Sequence, residues 1–377
     1  MAASSPGGAM EMPGWLDRLG GFIERTGNFW RRLGNLESRV FAADLEEIRI
    51  DRPIYVAGLA RAGTTILLEL LAARPGVATH RYRDFPPLFT PIFWNRAFAH
   101  IYGKDAPPTE RAHKDRILVT PDSPEALEEV LWMHFFPDIH DPARSSILDR
   151  ETSNPAFERF YIDHLRKILL IRGGARYLSK GNYNLTRFPY LLKLFPDARF
   201  VVPVRDPRWH VASLVKQHRL FCREEERDPR ILAHMRRVGH FEFGLDLRPI
   251  NTGDTARVES IRALWREGDL VRGFARYWAM LYGFLLDRLA ADALLRAHTL
   301  LVRYEDLCDR AEATLARVFA HVELPLTGEE RAVAAARLSR PDYYRPEFDA
   351  AEEAVLAEEA GEVWARIGEY AARSADG

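Results

Sequence analysis

The stretch 56–71 reads VAGLARAGTTILLELL and joins three kinds of local sequence. The run IYVAGL, which begins at Ile54, is apolar and β-prone, RAGTT is small and polar, and ILLELLAA is helix-forming. This order predicts a strand, a tight loop and a helix. It is the first β-loop-α unit expected of an α/β protein.

Two later stretches repeat the pattern. In 199–217 a short apolar strand, RFVVPV, is broken by RDPR before helical spacing resumes in WHVASLVKQ. The apolar HTLLVRYEDL begins at His298 and leads into a helix expected over 311–321. Apolar strands that lead into helices are typical of a buried parallel sheet. We predict an α/β fold: a parallel β-sheet flanked by helices on both faces, a P-loop-like nucleotide-binding core, and helical insertions.

Composition shifts suggest how the chain is divided. We expect an N-terminal helical extension over 1–50, an α/β domain over 51–330 and a C-terminal helical segment over 331–377. The charge-dense part of the domain, 220–268, is broken by prolines and a glycine and is expected to be an insertion or lid. The proline-rich aromatic segment 84–108 is expected to form a loop over a site rather than a regular element.

Bulk composition restricts the possible partners. The 377 residues include 53 Lys and Arg against 54 Asp and Glu, so no overall field favours nucleic acid or membrane. Only two cysteines, Cys222 and Cys308, are present, which favours a reducing compartment, and we expect a cytoplasmic protein. No secretory signal or transmembrane segment is expected.

An amphipathic helix is predicted near the N-terminus, where Trp15, Leu16, Leu19, Phe22 and Ile23 recur at helical spacing. Because its polar face does not read as predominantly basic, we expect packing on the domain or on a partner chain rather than membrane-surface binding. A homo-oligomer formed through this helix is a possible outcome.

The glycine loop has the frame of an ATP-binding loop but not its lysine. Gly58 and Gly63 fit the frame, while Thr64 stands where the lysine would be. Backbone N–H groups and the helix N-terminus can still hold an anion. Arg61 offers a cation within the loop, and Thr64 and Thr65 add hydroxyl donors. Taken alone, the stretch also fits an ordinary glycine turn between strand and helix, although less well than an anion-binding loop.

A second anion-binding pair follows the second strand. Arg205 lies at the strand end and Ser213 follows eight residues later, two turns into the helix. In a doubly wound sheet the two strand ends can be neighbours, so Arg205 and Ser213 would face the same ligand as Arg61.

These motifs together resemble the sulfotransferase family that uses 3′-phosphoadenosine 5′-phosphosulfate (PAPS), especially its bacterial branch. The family's first loop is similar to Arg61-Ala62-Gly63-Thr64-Thr65, with Ala62 in place of the usual serine. The resemblance covers about residues 53–324 and implies that this loop binds the 5′-phosphosulfate. It also implies that Arg205 and Ser213 hold the 3′-phosphate.

The resemblance further implies the catalytic groups. Lys180 in YLSKGNYN corresponds to a strand-end lysine that faces the transferred group, so Arg61 and Lys180 are the expected cations. Asn182 stands where part of the family has a histidine base. Other branches use an acidic residue after the first helix, which points to Asp84 as the base, with His80 and His134 as alternatives.

Other family features carry over less directly. Tyr304-Glu305-Asp306 is similar to a family hallmark, for which we expect a structural role. The nearest counterparts of the family's C-terminal phosphate clamp are Arg340 and Arg345.

The expected activity is therefore transfer of a sulfuryl group from PAPS to a hydroxyl or similar acceptor on a small molecule, a glycan or a lipid-like compound. A small-molecule P-loop kinase and a catalytically silent nucleotide-binding protein are the alternatives. No metal site is expected. Aromatic side chains could line an apolar acceptor pocket or belong to the core: Phe85, Phe89, Phe93, Trp94 and Phe98.

Overall fold

The computed structural model describes residues 10, 12–98, 108–110, 118–340 and 345–373. The strands of this described part are β1 (Ile54–Val56), β2 (Val77–Ala78), β3 (Thr109–Glu110), β4 (Leu118–Val119), β5 (Arg176–Lys180), β6 (Arg199–Val204) and β7 (Thr299–Arg303). Its helices are α1 (Gly14–Arg25), α2 (Gly27–Val40), α3 (Ala42–Glu46), α4 (Thr64–Ala72), α5 (Pro91–Phe98), α6 (Glu129–Phe135), α7 (Pro155–Arg172), α8 (Phe188–Leu194), α9 (Pro207–Arg227), α10 (Pro229–Val238), α11 (Thr255–Glu267), α12 (Leu270–Ala291), α13 (Ala293–His298), α14 (Tyr304–Asp309), α15 (Ala311–His321), α16 (Gly328–Ala335) and α17 (Ala350–Arg373).

A parallel sheet in the order β2-β5-β1-β6-β7 forms the centre of the fold. Strand β1 lies in the middle and pairs in parallel with both β5 and β6. In this register Val56 is opposite Lys180 on one side and Val201 on the other. The carboxyl ends of three strands therefore meet at one edge, and the predicted α/β fold is confirmed.

Helices cover both faces of this sheet because its side chains alternate between two cores. Tyr55 and Phe200 point into the larger core, which includes side chains of α7 and α12. Ile54, Val56 and Val201 point into the smaller one, with side chains of α4 and α15. Burial on both faces explains why the strand sequences are almost continuously apolar.

The segment expected to be a loop over a site contains a helix. Helix α5 spans Pro91–Phe98, so the prediction of irregular structure over 84–108 was wrong for these residues. Pro91 is the first residue of α5, a position where the fixed φ of proline suits a helix and its missing N–H costs nothing. The remainder, 99–107, lies outside the described residues.

The predicted insertion is helical and packed. It includes the end of α9, all of α10 and α11, and α10 contacts α1, α6 and α9. The division at residues 50 and 330 and a lid role for 220–268 stay predictions.

A buried ion pair ties the N-terminal helices to the rest of the molecule. Lys167 Nζ on α7 lies 3.2 Å from Glu37 Oε2 on α2 and donates a 2.7 Å hydrogen bond to the carbonyl of Gly34. Both charged side chains are essentially inaccessible to solvent. Burial raises the pKa of Glu37 and lowers that of Lys167, so each group depends on the other to remain charged.

We expect Lys167→Met to lower the free energy of unfolding by about 3–5 kcal/mol, because it leaves the Glu37 carboxylate buried without its cation. The double variant Glu37→Gln/Lys167→Met should recover part of this loss. Urea unfolding followed by circular dichroism measures both. Equal stability of Lys167→Met and the unchanged protein would contradict a structural role for this pair.

Candidate active site

The loop between β1 and α4 has a backbone that few residues can adopt. Gly63 has φ = 102° and Arg61 has φ = 74°, so two residues of the loop are left-handed. A Cβ added to Gly63 would lie 2.7 Å from Cδ2 of Tyr304, which is too close for any side chain. The glycine is therefore required both by its φ and by the ring packed against it.

Buried side chains of α9 and α12 hydrogen-bond to the backbone of this loop and hold it in place. Trp278 Nε1 donates to His210 Nδ1 at 3.1 Å, and so His210 Nε2 carries the hydrogen that it donates to the carbonyl of Ala60 at 2.8 Å. Burial lowers the pKa of His210 to about 3, which keeps the ring neutral. The backbone N–H of Leu59 donates to the hydroxyl of Tyr282 at 3.3 Å.

Three groups expected to share a ligand come together beside this loop. Arg61 Nε lies 3.3 Å from Ser213 Oγ, and Arg205 Nη1 lies 3.5 Å from the carbonyl oxygen of Arg61. The Arg205 guanidinium also lies 4.9 Å from the ring centroid of Tyr304. Because β1 and β6 are neighbours, their two loops form one cationic end of the site.

The start of α9 is built from the RDPR sequence. Asp206 caps the helix by accepting a 2.8 Å hydrogen bond from the N–H of Arg208, and Pro207 occupies the first turn. Glu305 Oε1 in turn accepts from the N–H of Asp206 at 3.0 Å. Glu305 thus holds the turn that follows Arg205, and Tyr304 packs on Gly63. These contacts agree with the structural role expected for the segment, which lies in α14.

A cavity of about 170 Å³ opens beside the cationic end. Arg61, Thr64 and Thr65 line it together with Lys180, the last residue of β5. Much of the remaining wall is apolar or aromatic and is formed by Tyr82, Phe85, Leu127, Trp132, Phe221, Met235 and Val238. Cationic and hydroxyl side chains and an apolar wall thus face the same space.

Glu128 is a buried carboxylate in the wall of this cavity. Its Oε1 accepts hydrogen bonds from the hydroxyls of Tyr161, at 2.9 Å, and Tyr177. Its Oε2 is buried and has no hydrogen-bond partner among the described residues. The two tyrosines therefore fix the orientation of the carboxyl group.

The neighbouring Glu129 also lines the cavity but is fully engaged. Arg187 donates to both of its oxygens at 2.8 and 2.7 Å, and His140 Nε2 lies 2.6 Å from Oε1. Although burial opposes ionisation, the charges of Arg187 and His140 lower the pKa of Glu129 to about 2. This carboxylate is held as a structural ion pair.

Two asparagines of the segment after Lys180 face the cavity as well. Both side-chain polar atoms of Asn184 are buried without a hydrogen-bond partner among the described residues. Asn182 Nδ2 donates to Glu242 Oε1 at 2.7 Å, and His240 Nδ1 lies 3.3 Å from the other oxygen of Glu242. Unsatisfied buried amides carry a free-energy cost that a polar ligand can remove.

Asp84, the expected base, does not line the cavity. Arg172 Nη2 binds both of its carboxylate oxygens, at 2.5 and 2.7 Å, and His80 Nδ1 lies 3.6 Å from Oδ2. Burial favours the neutral form, but the neighbouring His80 and Arg172 outweigh it and hold the pKa of Asp84 well below its usual range. The structure thus places Asp84 in a buried ion pair outside the cavity.

The alternative bases do not reach the cavity either. His80 Nε2 lies 3.1 Å from His164 Nε2 in a buried pair, and the ring of His134 packs on Phe89. Neither imidazole lines the cavity. His234 and His240 do, on the packed insertion, but the sequence offered no spacing that singles them out.

Other expected groups lie elsewhere. Phe85 lines the cavity, whereas Phe89, Phe93 and Trp94 do not, and the side chain of Phe98 is outside the described residues. Arg340 forms an ion pair with Asp309, and Arg345 is exposed next to the undescribed stretch 341–344. Within the described part of the chain, no cluster of His, Cys, Asp and Glu could hold a metal ion.

Comparisons with known proteins give one family. The model of the sulfotransferase family matches residues 53–239, about half of the chain, including the glycine loop, Lys180, Arg205 and Ser213. No curated protein matches the chain.

Solved structures of bacterial sulfotransferases are similar to it. The chain is 18% identical to STF1 from Mycobacterium tuberculosis, over 91% of this chain and 86% of that one, with a TM-score of 0.47. STF9 from Mycobacterium avium is 16% identical, over 85% of this chain and 80% of that one, with a TM-score of 0.46. A sulfotransferase from Alicyclobacillus acidocaldarius is 12% identical, over 85% of this chain and 96% of that one, with a TM-score of 0.38.

Gly63→Ala should destabilise the protein more than a glycine replacement that adds strain alone. Gly268 has a similar φ of 85° with nothing within 4 Å of an added Cβ, so Gly268→Ala costs only about 1–2 kcal/mol. Gly63→Ala must also displace the Tyr304 ring, which adds about 1–3 kcal/mol. Urea unfolding of the two variants tests the difference, and equal losses would mean that the ring contact is unimportant.

Proposed function

Because the chain belongs to the sulfotransferase family, we propose that it transfers the sulfuryl group of PAPS to an acceptor hydroxyl by in-line displacement. The observation that supports this proposal is that Arg61, Ser213 and Arg205 lie together beside the glycine loop. Residues of this loop and Lys180 line the same cavity. PAPS supplies a sulfuryl group joined to a phosphate that can leave.

The cationic end suits the two anionic groups of this cofactor. We assign the 5′-phosphosulfate to Arg61, Thr64 and Thr65, to the N–H group of Gly63, and to the N-terminus of α4. Ala62 shapes the loop instead, since its N–H donates to the carbonyl of Leu59 at 3.1 Å. A loop whose backbone is pinned by Tyr304 and His210 needs little reorganisation to bind an anion.

Arg205 and Ser213 are assigned to the 3′-phosphate. Arg205 is only 5% exposed and rests on the Tyr304 ring, which limits the conformations of its guanidinium before binding. Ser213 is buried one hydrogen bond away from Arg61, so the two phosphate sites are directly connected.

Arg61 and Lys180 supply the positive charge that the transfer requires. Negative charge develops on the bridging oxygen and on the oxygens of the moving group, and fixed cations in a site with little water stabilise it. Lys180 is held at the end of β5, in register with Val56 at the end of β1. The sheet therefore sets the spacing between the lysine and the loop.

We assign the general base to Glu128. A base must accept the proton of the acceptor hydroxyl. Glu128 lines the cavity, its Oε1 is fixed by two tyrosines, and its Oε2 accepts no hydrogen bond from a described residue. Glu129 is held by Arg187, and Asp84 lies outside the cavity.

The acceptor is proposed to be an apolar alcohol without negative charge. Phe85, Phe221 and Met235 supply apolar wall, whereas Glu128 and Glu242 would repel an anion. Asn184 can donate to one acceptor oxygen and accept from another, which would satisfy its buried amide. Cys222 and Cys308 are both free, and we place the reaction in the cytoplasm.

Calorimetric titration with 3′-phosphoadenosine 5′-phosphate, beside ATP with Mg²⁺, tests the cofactor. We expect binding of the former only, and about 10- to 150-fold weaker binding by Arg205→Ala, because a charge-assisted contact worth about 1.5–3 kcal/mol is lost. The matched control is Arg208→Ala on the same helix, whose exposed side chain pairs with Glu353 and should leave affinity unchanged. Binding of ATP alone would instead support a kinase.

Glu128→Gln should lower turnover by about 10²–10⁴-fold while cofactor affinity stays near that of the unchanged protein, because only proton transfer is affected. Asp84→Asn should reduce stability through loss of the Arg172 pair, but the folded protein should retain its turnover. Turnover with an acceptor found by screening, together with thermal unfolding, separates the two effects. Full activity of Glu128→Gln would move the base to another group, with His240 beside Glu242 tested next.

A further inference from the structure

The faces of α1 and α2 that point away from the domain, here called their outer faces, carry large apolar side chains that are exposed to solvent. Trp15 and Phe22 on α1 and Phe29 and Leu36 on α2 follow one another at seven-residue intervals. Each is between 45% and 57% exposed, whereas most other large apolar side chains of the described chain are buried. Val40 extends the row on α2 and is 59% exposed.

A row of arginines runs beside this apolar row. Arg18, Arg25, Arg32 and Arg39 each follow one of the four apolar residues by three positions, and all four are exposed. Residues three apart on a helix are neighbours on one face. No described carboxylate forms an ion pair with any of these four guanidinium groups.

The two acidic residues of α1 pair with α10 and not with these arginines. Arg237 on α10 binds Asp17 Oδ1 and, at 2.9 Å, Glu24 Oε2. The sequence of α1 therefore mixes charges, but its outer face is basic because its two carboxylates are used against the domain. This explains why the sequence did not indicate a basic face.

The inner face of α1 packs against the wall of the cavity. Leu16 and Ile23 are buried, and α1 contacts α10, whose Met235 and Val238 line the cavity. The exposed rows thus lie one helix layer away from the acceptor wall.

We infer that the outer faces of α1 and α2 dock on an anionic lipid bilayer. Aromatic and leucine side chains can enter the boundary between headgroups and acyl chains, while the neighbouring arginines bind lipid phosphates and carboxylates. A second copy of the chain is a poorer fit, because an isologous contact would place the arginine rows of both copies together. No described helix is long and apolar enough to span a bilayer, so the contact is peripheral.

Flotation of the purified full chain with lipid vesicles tests this inference. We expect the protein to float with vesicles of mixed phosphatidylcholine and phosphatidylglycerol, and to remain behind with phosphatidylcholine alone or at high salt. Replacing all four arginines by Gln should weaken binding by about 10²–10³-fold, at about fivefold for each charge. The double variant Phe22→Ser/Phe29→Ser should also lose binding.

Matched controls separate the effect of this surface from the effect of removing any exposed arginine or any exposed apolar side chain. Arg257→Gln removes an exposed arginine of α11, and Leu294→Ser removes an apolar side chain of α13 that is 49% exposed. Both should float like the unchanged protein. Failure of the unchanged protein to float with anionic vesicles would overturn the inference. So would sedimentation as a dimer that Phe22→Ser/Phe29→Ser dissociates, which would show that a second copy covers this surface.

Discussion

The close approach of the Tyr304 ring to the backbone of Gly63 is the contact on which the candidate site depends. It fixes a loop that is left-handed at both Arg61 and Gly63. The same ring supports the guanidinium of Arg205 from the neighbouring strand end. One aromatic side chain thus sets the distance between two cationic groups that come from different β-loop-α units. Without it, the two strand ends would still be neighbours, but their arginines would have more freedom to separate.

Three buried carboxylates outside the proposed acceptor contacts are each compensated by a cation. Glu37 has Lys167, Asp84 has Arg172, and Glu129 has Arg187. Glu128 differs, since no described cation pairs with it and its Oε2 is buried without a hydrogen-bond partner among the described residues. Both amide atoms of Asn184 are likewise unsatisfied. Leaving such atoms unsatisfied costs free energy in the folded protein. Their position in one cavity is therefore best explained by a ligand.

The sequence predicted the cationic end well and the rest of the cavity poorly, for physical reasons. Adjacent parallel strands bring their carboxyl ends together, so the proximity of Arg61, Ser213 and Arg205 follows from local motifs and one topological rule. Glu128 reaches the cavity through tertiary packing against Tyr161 and Tyr177, which no spacing along the chain encodes. The position of Asp84 after the first helix suggested a base, but its buried partner Arg172 is 88 residues away in the sequence, so the ion pair could not be predicted. Proline likewise misled us at Pro91, where it begins a helix.

The two ends of the cavity rest on different parts of the chain. The loop is supported by His210, Trp278 and Tyr282, while part of the cavity wall comes from α10 and the residues directly after it. Mutations in that wall can accumulate without disturbing the hydrogen bonds beneath the loop. If the proposed function holds, substitutions in this wall would change which acceptor fits while the contacts to the cofactor stay constant, so selectivity and cofactor use could evolve separately.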